Sequence, residues 1–174
     1  MHDLILNEDH YARVIDKLVP SAKRFLWIAT ADIKDLHVEG PGGRYVPFLS
    51  VLDDLVRAGV EIRLIHAKEP GPRFREDFDR FPALLDNERF ERILCPRMHM
   101  KVIVIDGLAA YIGSANLTGA GLGAKSPRRR NFEAGILTDD ETTIESLMQE
   151  LDQLYLGRHC GDCGRREHCP DPIA

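Results

Sequence analysis

The chain has 174 residues, 44% of them hydrophobic, which suits one globular domain with a core of its own. A formal net charge of −5 argues mildly against a protein coated in nucleic acid, and no apolar run is long enough for a helical membrane span. The start, Met1-His2-Asp3-Leu4-Ile5-Leu6-Asn7-Glu8-Asp9, is acidic and soon polar, unlike a secretory signal, so the expectation is a soluble cytoplasmic protein.

Tyr11, Val14, Ile15 and Leu18 recur at helical spacing, and Pro20 ends that helix. Phe25 to Ala29 reads as a buried strand. Phe48, Leu49, Leu52, Leu55 and Val56 mark a second helix, opened near Pro47 and stopped by Gly59. Val60 to Ile65 is again a strand, and this β-α-β order favours parallel pairing under covering helices. Residues 67–89 are charged and proline-rich, a surface excursion with one short helix. Arg92 to Leu94 and Met100 to Ile105 are strands, the second rich in β-branched residues. Asp106-Gly107 signals a turn into a returning arm, Ala109 to Ile112. Phe132 to Leu137 is a further strand. Thr138-Asp139-Asp140-Glu141 reads as a capping box for a helix burying Ile144, Leu147, Met148, Leu151, Leu154 and Tyr155. The fold class is therefore α/β, a mixed and largely parallel sheet flanked by helices over residues 1–156, with a Cys-rich tail at 157–174.

Charge is unevenly spread. Asp139 to Asp152 holds six acidic residues and no basic one, as on the solvated side of a helix. Lys125 to Arg130 holds four basic residues and no acidic one.

The chemistry concentrates between His99 and Asn116. There His99-x-Lys101 is followed by four apolar residues, Asp106, six more residues, and Gly113-Ser114-x-Asn116. Side chains alternate along a strand, so His99 and Lys101 share a face, about 6–7 Å apart at two residues of rise. One phosphate can bridge an imidazole and a cation so placed. Gly113, Ser114 and Asn116 end the neighbouring arm, where backbone N–H groups, a hydroxyl and a carboxamide suit non-bridging phosphate oxygens.

These positions match, without exception, the HKD motif of the phospholipase D superfamily, H-x-K-x4-D-x6-G-S-x-N, which the chain therefore resembles. The likeness extends to Asn131-Phe132-Glu133 and to the element order from Phe25 to Leu156. It implies that His99 attacks phosphorus to form a covalent phosphohistidine, and that a second histidine protonates the leaving oxygen and activates water. Only one motif is present, and the small one-motif nucleases of the superfamily dimerise, so a homodimer with one shared site is implied. Lys101, Ser114 and Asn116 would hold phosphoryl oxygens, Glu133 would accept a hydrogen bond from the His99 ring, and Asp106 would organise the site. No catalytic metal is implied.

Beyond Leu156 the chain changes character. Cys160 and Cys163 form a Cys-x2-Cys knuckle with Cys169 six positions on. In a cytoplasmic setting this favours metal over a disulfide or free thiols. Structural zinc is the first expectation, with Cys95, His159 or His168 as fourth ligand, and an iron–sulfur cluster is the alternative.

For the substrate, the motif separates nucleases from phospholipases no further. The one-motif build and the Lys125, Arg128, Arg129 and Arg130 loop, lying between Asn116 and Glu133, lean toward a nucleic-acid substrate. A lipid phosphodiesterase and a non-catalytic nucleic-acid-binding module are the alternatives, and membership of a larger defence or repair system is open.

Overall fold

The computed structural model describes residues 2–34, 36–170 and 172–173. Strand β1 (His2–Leu6) leads into a wide helix of π type, His10–Leu18, closed by one 3₁₀ turn at Val19–Ser21. Then follow β2 (Phe25–Thr30), the short pair β3 (His37–Glu39) and β4 (Tyr45–Pro47), α1 (Phe48–Arg57) and β5 (Glu61–His66). The excursion after β5 contains two short helices, α2 (Pro72–Phe78) and α3 (Pro82–Asp86), before β6 (Phe90–Leu94). The hairpin β7 (Val102–Ile105) and β8 (Ala109–Gly113) is followed by β9 (Ala134–Thr138) and α4 (Glu141–Tyr155).

Seven strands form one mixed sheet in the order β1-β9-β8-β7-β2-β5-β6. Parallel pairing is confined to β2–β5 and β5–β6, where α1 and the α2–α3 excursion make the crossovers. The other four pairings are antiparallel, so the sheet is mixed as expected, with a smaller parallel share than the β-α-β reading alone suggests. Alternation along β7 explains the two cores. Ile103 and Ile105 join the larger one with Leu26, Ile28, Leu52 and Leu64, under the N-terminal helix and α1. Val102 and Val104 join the smaller one, with Met98, Ile144 and Leu151, under α4.

Several boundaries differ from the sequence expectation for physical reasons. The β1 strand and the β3–β4 pair are additional, each short and flanked by polar residues. Phe74 and Leu84 are buried, so the excursion after β5 covers core rather than merely solvent. The N-cap of α4 is Asp140, whose carboxylate accepts from the Thr143 N–H at 2.9 Å. Thr138 instead accepts from the Asp140 N–H at 3.0 Å, so the helix cap lies two residues later than expected.

Asp106 holds the centre of the sheet. With Gly107 it forms the β7–β8 turn, both residues at positive φ (56° and 71°), a conformation Asp tolerates and Gly favours. Its buried carboxylate accepts from the backbone N–H groups of Lys23 (2.9 Å), Arg24 (2.7 Å) and Phe25 (2.9 Å), while Arg24 donates to its carbonyl at 2.6 Å. Burial pushes this carboxyl up, but the bonds from Phe25, Arg24 and Lys23 outweigh it and hold the group below its usual range. Asp106 thus fastens the head of β2 to the turn, at the end of β7 opposite His99, roughly 16 Å along the strand from Lys101. Its hydrogen bonds tie the fold together, at the far end of β7 from His99.

Asp106→Asn should keep the turn, since Asn also tolerates positive φ, but weaken the three charge-assisted bonds. Chemical denaturation near neutral pH should show a loss of roughly 1.5–3 kcal/mol. Because the folded carboxyl titrates below its unfolded value of about 3.9, its contribution is present above that pH and lost as pH falls through the lower folded value. The variant should therefore lose less stability than the parent on acidification below about pH 4.

Candidate active site

His99 and Lys101 lie on the extended segment that leads into β7, just ahead of the ladder. His99 is exposed and Lys101 half-buried. The Lys101 ammonium donates to the His99 carbonyl at 2.7 Å and lies 3.4 Å from Nδ1 of the ring. The segment's other face is apolar, with Met98 buried and Met100 half-buried in the α4 core, so the alternation expected from sequence holds.

Ser114 and Asn116 follow the end of β8 next to this segment, where the Gly113 N–H donates to the Lys101 carbonyl at 3.0 Å. Gly113 has a steric reason to be glycine. A Cβ there would collide with the Tyr111 phenol and meet the Ala134 carbonyl at 2.8 Å. Tyr111 is buried beneath the turn and its hydroxyl accepts from the Ala115 N–H at 3.2 Å. Burial pushes this phenol up to about 12; the Ala115 bond opposes that shift and the nearby negative Glu133 reinforces it.

Glu133 arrives from the neighbouring β9 side. Its carboxylate accepts from the Ser114 hydroxyl and, at 3.0 Å, from the Asn131 amide. The expected bond from the His99 ring is not made within the subunit. Glu133 lies across β8 from the His99 segment, and Ser114, on the intervening arm, takes its carboxylate instead.

Asn116 is oriented by groups that the sequence did not single out. Its side-chain oxygen accepts from the Asp32 N–H at 3.1 Å and lies 3.4 Å from the Thr30 hydroxyl. Thr30, buried at the end of β2, also accepts from the Leu117 N–H at 3.0 Å and donates to the Asp32 carbonyl at 2.9 Å. With its oxygen so engaged, the Asn116 amide presents its NH₂ end away from Thr30 and Asp32. Neither residue falls within a motif; the only hint was a threonine and an aspartate just past a buried strand.

The basic loop divides. Lys125, Arg128 and Arg129 are exposed, on and beside a 3₁₀ turn at Pro127–Arg129. Arg130 is committed to the loop itself, donating to the Lys125 carbonyl at 2.6 Å and pairing with Glu8 at 3.3 Å. Phe132, between this loop and Glu133, is 96% exposed.

The tail packs against the β6–β7 connection. Arg165 donates to the Pro96 carbonyl at 3.1 Å, and the thiols of Cys169 and Cys163 lie 3.9 Å from the Leu94 carbonyl and the Arg97 guanidinium. None of the four cysteines is disulfide-bonded. Among the described residues no three His, Cys, Asp or Glu side chains are grouped to hold a single metal ion, so the arrangement does not support the zinc expected from spacing. Of the alternative fourth ligands, His159 faces Glu150 at 3.7 Å and His168 is exposed.

Comparison with known proteins decides the family. Residues 15–155 match the family model described as "Cardiolipin synthase, PLD-like domain". The chain belongs to this PLD-like family of the phospholipase D superfamily. Cardiolipin synthase 2 of Bacillus anthracis is 27% identical over 140 residues, which span 77% of this chain and 24% of that protein. The chain thus matches only about a quarter of its curated relative's length. Among solved structures, NucT from Helicobacter pylori superposes with a TM-score of 0.65 at 15% identity, covering 89% of this chain and 95% of that one. Nuc from Salmonella typhimurium, a phospholipase D family member, does so with a TM-score of 0.57 at 17% identity and the same coverages. These two likenesses establish the fold, a PLD-like mixed sheet flanked by helices. No helix among the described residues is long and apolar enough to cross a membrane.

Thr30→Val would keep the shape of the buried side chain but leave the Leu117 N–H unpaired and the Asn116 carboxamide less firmly set. A stability loss of about 1–3 kcal/mol is expected. If Asn116 contacts the reacting phosphoryl group, kcat on bis-p-nitrophenyl phosphate should also fall about tenfold with KM little changed, the signature of a lost transition-state contact. A stability loss with kcat intact would confine Thr30 to the fold.

Proposed function

We propose that the chain is a metal-independent phosphodiesterase that cleaves nucleic acid through a phosphohistidine, in a homodimer with one shared site. The observation that carries the chemistry is the gathering, at one end of the central hairpin, of an exposed imidazole, an ammonium, a carboxylate-bound hydroxyl and an oriented carboxamide. The His99 ring attacks phosphorus as the bond to the leaving oxygen breaks, and the second subunit's copy of His99 gives that oxygen a proton. The same second imidazole then takes a proton from water, which attacks phosphorus and releases His99. Lys101 and the Asn116 NH₂ stabilise the charge gathering on the non-bridging oxygens. Ser114 gives its one hydroxyl proton to Glu133 and so holds that carboxylate beside the site. One motif supplies one histidine, and a two-fold axis is the economical source of the other.

The nucleic-acid reading rests on the exposed Lys125, Arg128 and Arg129, with Phe132 beside them. Cations that track a phosphate backbone and an aromatic face on which a base can stack are the usual pairing for a strand-binding groove. The lipid reading is favoured by the cardiolipin synthase relatives and by exposed apolar side chains on the sheet edge, where Leu4 lies opposite Ile136.

The purified protein should cleave DNA or RNA in EDTA while leaving phospholipid vesicles intact, and sediment as a dimer. His99→Ala should lose at least ~10³-fold in rate, because a symmetric dimer then lacks nucleophile and acid together. Near-normal turnover by His99→Ala would overturn the mechanism, and turnover of phospholipid alone would decide for the lipid reading. Neutralising Arg128 and Arg129 should weaken nucleic-acid binding and flatten its salt dependence, with hydrolysis of bis-p-nitrophenyl phosphate nearly spared. Equal losses on both substrates would instead make the loop a structural support.

A further inference from the structure

All four cysteines of the chain, from segments 65 and more residues apart in sequence, line one cavity of about 280 Å³. Cys95 comes from the turn after β6; Cys160, Cys163 and Cys169 come from the tail folded over it. A single zinc ion draws four sulfurs to about 2.3 Å from one point. Here the four cysteines line the walls of a space far larger than the ~10–15 Å³ that admits one water. A polynuclear cluster, whose ligating sulfurs bind separate iron atoms, calls for cysteines spread along such a space rather than drawn to one point. The cavity walls are otherwise mainly apolar, from Ile93, Leu94, Met98, Leu154 and Ile173, and Arg97, Arg165 and Arg166 also line it. A cluster carrying four thiolates is anionic, and low-dielectric walls strengthen its attraction to such guanidinium groups.

Local backbone structure shapes the tail for this task. Gly157, at φ +67°, turns the chain off α4, and successive turns bring the Cys160 N–H to the Gly157 carbonyl (2.9 Å) and the Cys163 N–H to the Cys160 carbonyl (3.4 Å). Arg166 donates to the carbonyls of Cys160 (3.0 Å) and Ile173 (3.2 Å), closing the tail on itself.

We propose that Cys95, Cys160, Cys163 and Cys169 ligate a polynuclear iron–sulfur cluster that staples the tail to the segment carrying His99. Each thiol releases its proton to solvent as its sulfur bonds iron, and the iron and inorganic sulfide enter as the cluster. The cavity also takes in Met98, His99 and Met100, so the cluster steadies the segment that leads into β7. This site stands apart from the substrate reading, since its test reads metal and colour rather than turnover.

The test uses the full chain, expressed without a metal-affinity tag and purified without oxygen, for iron, acid-labile sulfide and visible absorption. Brown protein with about two to four iron atoms and as many sulfides per chain is expected, directly or after anaerobic reconstitution with ferric iron, sulfide and a thiol reductant that reduces part of the iron. Cys95→Ala should lose colour and iron and melt at lower temperature while far-ultraviolet circular dichroism still reports the folded sheet. Cys169→Ala, at the other end of the staple, should do the same. Protein that stays colourless and iron-free after reconstitution would overturn the proposal, and so would one zinc per chain in place of iron. Undiminished iron and colour in a folded Cys95→Ala variant would overturn the four-thiol staple.

Discussion

Three backbone N–H groups at the head of β2 converge on one buried carboxylate, that of Asp106, and the geometry of the candidate site depends on it. Central strands β2 and β7 run antiparallel, with Leu26 opposite Ile105 and Ala29 opposite Val102. A one-residue slip of that register would exchange the faces of β7, sending Ile103 toward α4 and Val104 toward the N-terminal helix. The same slip would reverse His99 and Lys101 on the segment just upstream. Asp106 prevents it from the far end of the strand by binding three successive amides, an arrangement only one register satisfies. An acidic residue conventionally read as part of a catalytic signature thus acts here through alignment.

The near end of the hairpin is set by packing. Tyr111 lies under the β8–β9 ladder, where Gly113 and Gly135 are paired opposite each other, and a Cβ on either would strike its ring. Two paired glycines admit one aromatic ring, and that ring's hydroxyl receives the Ala115 N–H between Ser114 and Asn116. The turn that presents the hydroxyl and carboxamide is therefore shaped from below by a buried phenol, and from the side by Thr30 and Asp32. Both supports come from the sheet's interior, which holds the donors to an angular tolerance that a free loop would not.

What the sequence made legible follows from how locally each feature is determined. The β-branched run Val102–Ile105, the Asp106-Gly107 turn and the helical period of α1 and α4 are set by neighbours within a few residues, and the structure follows them. Strand β1 was not legible because His2–Leu6 is an edge strand whose pairing with β9 joins residues some 130 apart, and its Leu4 and Leu6 are exposed. The same reason hid Thr30 and Asp32, which act on Asn116 across more than eighty residues. It also explains why the partner of Glu133 within the subunit differs from the expected one. Spacing placed its carboxylate near the site, but not which side chain on the intervening arm would take it. In the tail, spacing pointed to one zinc ion, whereas the fold places the four cysteines along the walls of one cavity.

A net charge of −5 need not oppose binding of a polyanion, because the fold separates the charges that produce it. The acidic run from Asp139 to Asp152 begins just before α4 and continues along it, and α4 packs on the Val102 and Val104 face of the sheet. The chain between Asn116 and Glu133 packs through Leu117 and Leu122 into the core on the opposite face, carrying Lys125, Arg128 and Arg129 with it. Between them lie a sheet and its side-chain layers, at about 10 Å per layer, against a Debye length of roughly 8 Å at physiological ionic strength. The outward carboxylates of α4 are therefore largely screened from a strand lying along the basic loop, while Arg128 and Arg129 would contact its phosphates directly. Arg130 does not add to this local field in the same way, since Glu8 already pairs with it. Its guanidinium fixes the loop's shape, and the cations beside it stay exposed. Among the described residues Lys125, Arg128 and Arg129 make no ion pair, so the local charge of this loop depends on a few residues more than on the net charge of the chain.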